Sequence, residues 1–103
     1  MAEWTKVATL EECPPGSLRK VMVGPEPVVL ANVEGAVYAV LDRCTHEDLP
    51  LSDGEMEGTD LVCCYHGARF DVTSGAPRAL PAVKPVKTFP VEMREDGIYI
   101  QGA

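Results

Sequence analysis

The sequence predicts an all-β fold, an antiparallel sandwich or a small barrel. Three observations support this class. The apolar runs are short, no segment keeps a 3.6-residue apolar period, and nine prolines and nine glycines interrupt the chain at strand-like intervals. A length of 103 residues suits a single domain spanning 1–103.

The first half of the chain predicts four strands. They are Trp4–Leu10, Leu18–Val23, Val28–Val33 and Ala36–Leu41. A Pro- and Gly-containing turn follows the first run, and Gly24-Pro25-Glu26-Pro27 ends the second. Glu34-Gly35 separates the last two runs, which predicts a hairpin.

The second half predicts four more strands around a loop-rich region. They are Leu61–Cys64, Arg69–Thr73, Val86–Arg94 and Ile98–Gln101. Asp96-Gly97 is the clearest hairpin signal in the chain. Residues 43–83 hold most of the chemically distinctive side chains, and we expect them to form a loop-rich lobe inserted into the β framework.

Composition excludes several classes of function. The formal net charge is −7, which argues against binding to nucleic acid or to an anionic membrane. The start of the chain lacks a basic region followed by an apolar run, and the longest apolar stretches are too short to span a bilayer. We therefore expect a cytoplasmic protein without a membrane partner.

Two short motifs carry the chemistry. Cys44-Thr45-His46 and Cys63-Cys64-Tyr65-His66 are separated by the 16 residues 47–62, and they contain both histidines of the chain. Thiolates are soft anionic ligands, and neutral imidazoles bind through one ring nitrogen. Two such pairs predict a metal site with two thiolates and two imidazoles, which explains the cysteines better than two disulfides do.

Several alternatives remain at this level. A zinc site with two Cys and two His has the same ligands, but zinc modules usually pair like residues, so mixed pairs favour iron–sulfur. A core thiol beside a structural His is the simplest alternative. Spacing also allows Cys64 in place of Cys63, although side chains of neighbours in an extended chain point to opposite faces, so both cannot serve. Cys13, among prolines, is interpreted as a structural thiol.

The motifs resemble the signature of Rieske ferredoxins. The family pattern is similar to Cys44-x-His46, followed after sixteen residues by Cys63-x-x-His66-Gly67. The later segment, with Arg69-Phe70-Asp71, Ser74-Gly75 and Pro81, is also similar to the family. The resemblance implies a Rieske-like β-sandwich of two larger sheets with an inserted cluster-binding subdomain, at about 43–83. It also implies one [2Fe–2S] cluster per chain.

The resemblance also assigns the ligands. It implies that Cys44 and Cys63 bind the buried iron and that His46 and His66 bind the outer iron near the surface. It therefore selects Cys63 and leaves Cys64 as a packed core thiol. The stretch from Ser74 to Pro81 is expected to form a third loop over the cluster.

The same resemblance predicts a low redox potential. High-potential respiratory members carry an extra Cys in each ligand loop, a Ser after the His-Gly pair and a Tyr two residues later. This chain has Leu49, Tyr65, Ala68 and Phe70 at those positions. Hydrogen bonds to the cluster and its sulfur ligands stabilise the reduced state, so we expect a potential at the low end of the Rieske range, roughly −150 mV.

The resemblance implies an electron carrier and not an enzyme. We expect a monomeric, low-potential ferredoxin of the dioxygenase-associated type. Its expected function is to carry single electrons from a flavoprotein reductase to a terminal aromatic-ring-hydroxylating oxygenase. Alternatives are the small Rieske subunit of an assimilatory nitrite reductase and an iron–sulfur redox sensor.

Acidic residues crowd the segment between the two motifs. They are Glu47, Asp48, Asp53, Glu55, Glu57 and Asp60. They form either a solvated loop or a docking surface for redox partners, with Arg43, Arg69 and Arg78 as basic neighbours.

Overall fold

The computed structural model describes residues 4–43, 50–63, 68–79 and 84–101. These ranges contain eleven strands and two short 3₁₀ turns, Leu10–Glu12 and Leu51–Asp53. The strands are β1 (Trp4–Ala8), β2 (Leu18–Val23), β3 (Glu26–Val33), β4 (Ala36–Leu41), β5 (Glu55–Glu57), β6 (Asp60–Val62), β7 (Arg69–Asp71), β8 (Pro77–Ala79), β9 (Thr88–Phe89), β10 (Val91–Arg94) and β11 (Gly97–Gln101). The predicted all-β class is confirmed.

The strands form three antiparallel sheets. The outer sheet has the order β1-β11-β10, the central sheet β2-β3-β4-β9, and the small sheet β5-β6-β7-β8. The small sheet consists of three-residue strands, and all of it comes from residues 55–79. Among the described residues, no helix is long and apolar enough to cross a membrane.

The central sheet is the middle layer, because β3 is apolar on both faces. Val28 and Leu30 belong to one buried cluster, while Val29 and Ala31 belong to the other. Side chains alternate between the faces of a strand, so the continuous apolar run supplies two cores at once. The first cluster includes Ile98 and Ile100 of the outer sheet; the second includes Leu61 and Phe70 of the small sheet.

The hairpins explain the accuracy of the strand bounds. β2 and β4 have the predicted bounds, and Glu34-Gly35 connects β3 to β4 as expected. β3 starts at Glu26, two residues earlier than predicted, because Gly24-Pro25 is a two-residue turn that lets Glu26 pair with Val23. Gly24 has φ of 60°, a conformation that glycine adopts without a steric penalty.

The predicted strand Val86–Arg94 is wrong as a single element. Pro90 separates β9, which pairs with β4, from β10, which pairs with β11. Proline has no N–H to donate to a ladder, and here it marks the point where the chain passes from the central to the outer sheet. β5 and β8 are absent from the prediction, and the first predicted strand ends early, at Ala8.

Candidate metal centre

Cys63 is the predicted ligand that the structure describes. It follows β6 directly, and its side chain is a buried thiol, 2% exposed, within the cluster that contains Leu61 and Phe70. Its N–H donates a hydrogen bond of 2.7 Å to the carbonyl oxygen of Ala68. This bond extends the β6–β7 register by one pair, so it closes the chain at the base of the segment that carries His66.

The segment that carries Cys44 and His46 also has a fixed base. Asp42, at the end of β4, is 4% exposed, and both of its carboxylate oxygens accept hydrogen bonds from Ser52, each at 2.7 Å. Its own N–H donates to the carbonyl oxygen of Pro27 on β3 at 2.9 Å. One buried carboxylate therefore joins the chain before the first motif to the chain after it.

Gly54 brings the two bases together. A Cβ atom at this position would lie 1.9 Å from the carbonyl oxygen of Val62, the residue before Cys63. Val62 pairs with Glu55 across β5 and β6, which keeps this approach tight. Position 54 therefore requires glycine for its lack of a side chain.

Gly75 joins the small sheet to the chain that follows the predicted third loop. The N–H of Val86 donates to the carbonyl oxygen of Gly75 at 2.8 Å, and Gly75 N–H donates to Asp71 at 2.6 Å. Gly75 has φ of 81°, and a Cβ there would lie 2.2 Å from the carbonyl oxygen of Val86. The Ser74-Gly75 pair thus positions the backbone beside the buried Val86 side chain.

The charged side chains of the small sheet form a network. Arg69 contacts Glu57 at 2.8 Å and Asp60 at 3.7 Å, while Arg78 contacts Asp60 at 3.4 Å and Asp71 at 3.9 Å. The hydrogen bond and charge of Glu57 raise the pKa of Arg69 above its ordinary value. The pKa of Asp71 is lowered, first by two hydrogen bonds from Thr73 and then by Arg78.

This network changes the interpretation of the acidic segment. Glu57 and Asp60 lie on strands of a sheet and pair with arginines of the same sheet, so they do not form the solvated loop that the charge run indicates. Arg69 and Arg78 are likewise engaged with these acids, which reduces the charge they present to a partner.

The other sequence-predicted ligands, Cys44, His46 and His66, lie outside the described residues. So do Cys64, Leu49, Tyr65, Glu47, Asp48 and Pro81. Ala68 and Phe70 are described, and both are completely buried. Neither side chain has a hydrogen-bond donor, as the prediction of a low potential requires.

Cys13 is a buried free thiol far along the chain from the motifs. It is 1% exposed, lies in the cluster between the outer and central sheets, and accepts a 3.6 Å contact from the Ser17 hydroxyl. This environment suits the structural role predicted for it.

Sequence reasoning missed the residues that support the site, namely Asp42, Ser52 and Gly54. Asp42 stands directly after an apolar strand and two residues before Cys44, a place where a polar side chain ends a buried run. A polar residue at that position indicates that its side chain makes a structural contact at the end of the strand. The partner of Asp42 could not be read from the sequence.

Comparisons with known proteins agree on one family. The Rieske [2Fe-2S] domain model matches residues 3–90. The biphenyl 2,3-dioxygenase ferredoxin component of Rhodococcus jostii (strain RHA1) is 36% identical over 93% of this chain and 90% of its own length.

Two solved structures have the same fold over nearly the whole chain. One is a chain in the complex of reduced oxygenase and oxidized ferredoxin in carbazole 1,9a-dioxygenase, 36% identical, with a TM-score of 0.90 over 96% of this chain and 93% of that chain. The other is the ferredoxin of carbazole 1,9a-dioxygenase from Nocardioides aromaticivorans IC177, 31% identical, with a TM-score of 0.93 over 97% and 98%.

The layered β fold, the buried Cys63 thiol and these matches define an iron–sulfur electron-transfer protein, not an enzyme. The chain belongs to the Rieske [2Fe-2S] domain family. It is a ferredoxin of the Rieske type, and the family implies a single [2Fe–2S] cluster.

The described residues fit such a cluster. A buried thiol in an apolar layer is a suitable donor to iron, and it lies at the base of one motif while a buried carboxylate fixes the base of the other.

Proposed function

We propose that this ferredoxin carries single electrons from a flavoprotein reductase to a terminal aromatic-ring-hydroxylating oxygenase. The relatives named as ferredoxin components of dioxygenase systems support this role. The partners follow from the role, because a one-electron carrier needs a donor that splits electron pairs, which flavins do, and an acceptor that consumes them one at a time.

The proposed ligands are Cys44, His46, Cys63 and His66. The observation that carries this assignment is the buried thiol of Cys63, held by its N–H bond to Ala68 on the same face as Leu61. Residues two apart share a face of an extended chain, so the thiol at position 63 points into the layer between the sheets. When bound, the cluster accepts and releases one electron.

Residues 43–83 are proposed as a cluster-binding subdomain within a single domain spanning 1–103. The small sheet, which comes entirely from 55–79, supports this division, as does the separate ion-pair network on its strands. Its apolar side packs on the central sheet, so it shares a core with the rest of the chain.

The decisive measurement is EPR spectroscopy of the reduced protein together with iron and sulfide analysis. We expect two irons per chain and the signal of a cluster with mixed Cys and His ligands. Cys63→Ser should abolish the signal, whereas Cys64→Ser should retain it. The reverse result would contradict the ligand assignment, and zinc in place of iron would contradict the cluster type.

Electron transfer has its own test. A potentiometric titration should give a midpoint near the low end of the Rieske range, roughly −150 mV, and a value above about +100 mV would contradict the low-potential assignment.

Added to purified reductase and oxygenase components of an aromatic-ring dioxygenase, the protein should support product formation, and Cys63→Ser should not. Loss of the cluster after a single cycle in air would instead favour a sensor.

The carrier is proposed to work as a monomer in the cytoplasm, because a shuttle between two proteins must diffuse in the compartment that contains both. Transient redox interfaces are small, and a single small domain is enough to form one. Cell fractionation and size-exclusion chromatography test these two points, and a stable dimer or a membrane-bound fraction would contradict them.

A further inference from the structure

Asp42 is a buried charged side chain with an unusual set of partners. Within the described part of the chain, both hydrogen bonds to its carboxylate come from one residue, Ser52, whose N–H and Oγ donate to Oδ1 and Oδ2 at 2.7 Å each. The two residues are ten positions apart, and Cys44 and His46 lie between them. Hydrogen bonds to an ionised acceptor are the strong kind, so this contact fixes the separation of the two chain ends closely.

Both ends of this contact are tied to rigid parts of the fold. The N–H of Asp42 donates to Pro27 on the central sheet at 2.9 Å. Ser52 lies in the 3₁₀ turn Leu51–Asp53, and the Leu51 side chain is completely buried in the cluster that contains Cys63. The contact therefore fixes the 3₁₀ turn, which lies beside the small sheet, relative to the central sheet.

Gly54 completes the connection to the second motif. It lies against the carbonyl oxygen of Val62, directly before Cys63. The connection thus runs from Asp42 to Ser52 by hydrogen bonds and from Gly54 to Val62, the neighbour of Cys63, by a close backbone approach. Ser52 and Gly54 are joined by the 3₁₀ turn, in which the N–H of Gly54 donates to the carbonyl oxygen of Leu51 at 2.9 Å.

We infer that Asp42 is a positioning residue: by binding Ser52 it fixes the two ends of the segment that contains Cys44 and His46 relative to each other and to Cys63. The inference rests on the proposed function, since it needs those residues as ligands of one cluster. A mixed cluster ligated from two segments needs both held in place, because a small displacement of one segment changes the geometry at both irons.

Three substitutions test the inference. Asp42→Ala removes both hydrogen bonds, so we expect an altered EPR line shape and loss of visible cluster absorbance on the order of tenfold faster than in the wild type. Asp42→Asn keeps the size and shape of the side chain and both hydrogen bonds, because the amide oxygen accepts the Ser52 N–H and the amide nitrogen donates to Ser52 Oγ. This variant should therefore retain the wild-type EPR line shape. Ser52→Ala removes only the Oγ bond and should fall between the other two.

The potential gives a second readout that a purely structural role would not move. Asp42 stands two positions before the proposed ligand Cys44. Asp42→Asn removes a negative charge there without removing the contact, so an electron added to the cluster should meet less repulsion and the midpoint should shift upward. Ser52→Ala leaves the charge in place and should give no such shift. A midpoint in Asp42→Asn equal to or below that of the wild type would contradict the placement of this charge beside the cluster.

Asn32→Ala is the matched control. Asn32 is also buried, at 5% exposed, and makes two side-chain hydrogen bonds, to Cys13 and from Gly35, but it lies in the β3–β4 hairpin region. It should lower the unfolding temperature and leave the EPR line shape unchanged. If Asp42→Ala behaves like Asn32→Ala, the inference is overturned.

Failure of the proposed function looks different. A wild-type protein without the mixed-ligand EPR signal would contradict the ligand assignment itself. If Asp42→Ala does not fold, the EPR line shapes of the other two variants decide. A wild-type line shape in Asp42→Asn together with an altered line shape in Ser52→Ala supports the inference. Any other pair of results overturns it.

Discussion

The two cores on either side of the central sheet are stabilised in different ways. Between the outer and central sheets, long strands bury aliphatic side chains such as Ile98 and Ile100, and the layer depends on apolar area. Between the central and small sheets, strands of three residues are supplemented by the buried carboxylate of Asp42 and by a network of ion pairs that links three neighbouring strands. We therefore expect the layer between the outer and central sheets to tolerate adjustment, and the layer on the cluster side to depend on specific contacts.

The largest expected effect comes from truncating one large side chain in each core. Phe70→Ala should destabilise the protein by about 4 kcal/mol and Ile98→Ala by about 3 kcal/mol, since both side chains are completely buried. Thermal unfolding followed by circular dichroism measures both.

The two core variants differ in what else they disturb. Phe70→Ala should also lower the temperature at which visible cluster absorbance is lost, well before the secondary structure melts, because Phe70 shares a cluster with Cys63. Ile98→Ala should lose absorbance and secondary structure together. If both variants behave alike, the division into two kinds of core is wrong.

Gly54→Ala tests the close approach on the cluster side. The new methyl group would overlap the Val62 carbonyl oxygen, and we expect a cost of about 3 kcal/mol together with reduced iron content. Thermal unfolding and iron analysis measure the two effects.

Gly58→Ala is the control for Gly54→Ala. Gly58 has φ of 62° but open space where a Cβ would stand, so backbone strain alone should cost about 1 kcal/mol with normal iron content. Gly54 itself has φ of −89°, so this kind of backbone strain does not arise there. Equal effects of the two substitutions on stability and iron content would contradict the close contact with Val62 as the reason for glycine at position 54.

A smaller effect is expected from Arg78→Ala. Asp60 and Asp71 are direct cross-strand partners, and Oδ1 of Asp60 is buried without a hydrogen bond from any described residue. Arg78 lies near both carboxylates, so its loss leaves like charges facing each other, at a cost of about 1 kcal/mol. The cost should shrink in an Asp60→Asn background, and additive effects in this double-mutant cycle would rule out the coupling.

The smallest effect is a change in pH dependence. Thr73 hydrogen bonds lower the pKa of Asp71, so the ionised carboxylate stabilises the folded state above the ordinary Asp pKa, and this stability is lost as pH falls through the lowered value. Thr73→Val moves the pKa back toward normal. The variant should be less stable at pH 7 by about 0.5–1 kcal/mol and indistinguishable from the wild type below both pKa values.

Thr5→Val is the control for Thr73→Val, because Thr5 is an exposed strand residue on β1. Its unfolding temperature relative to wild type should not vary with pH. A difference for Thr73→Val that stays constant down to acid pH would exclude Asp71 as its source.

Sequence reasoning succeeded where structure is local. Val28–Val33 and Ala36–Leu41 combine continuous or alternating apolar residues with a turn dipeptide, so both the strands and the hairpin are predictable. The burial of Cys63 follows from the strand that precedes it, whereas its role as a ligand stays a prediction from motif and resemblance.

The rest depends on contacts that are distant in the chain. β5 and β8 are too short to show an apolar period, and β8 contains a proline, which usually argues against a strand. The role of Asp42 depends on Ser52, ten positions away, and that of Gly54 on Val62 across a sheet. No local pattern encodes such pairings.

The double-faced burial of β3 has a consequence for how the chain finds its alignment. A slip of one residue would exchange Val28 and Leu30 for Val29 and Ala31, and every one of these side chains is apolar and completely buried. Hydrophobicity alone therefore discriminates weakly between the two alignments of this strand. The tight turns at its ends, Gly24-Pro25 and Glu34-Gly35, supply the missing information, so a few exposed loop residues determine which side chains face the iron–sulfur side of the protein.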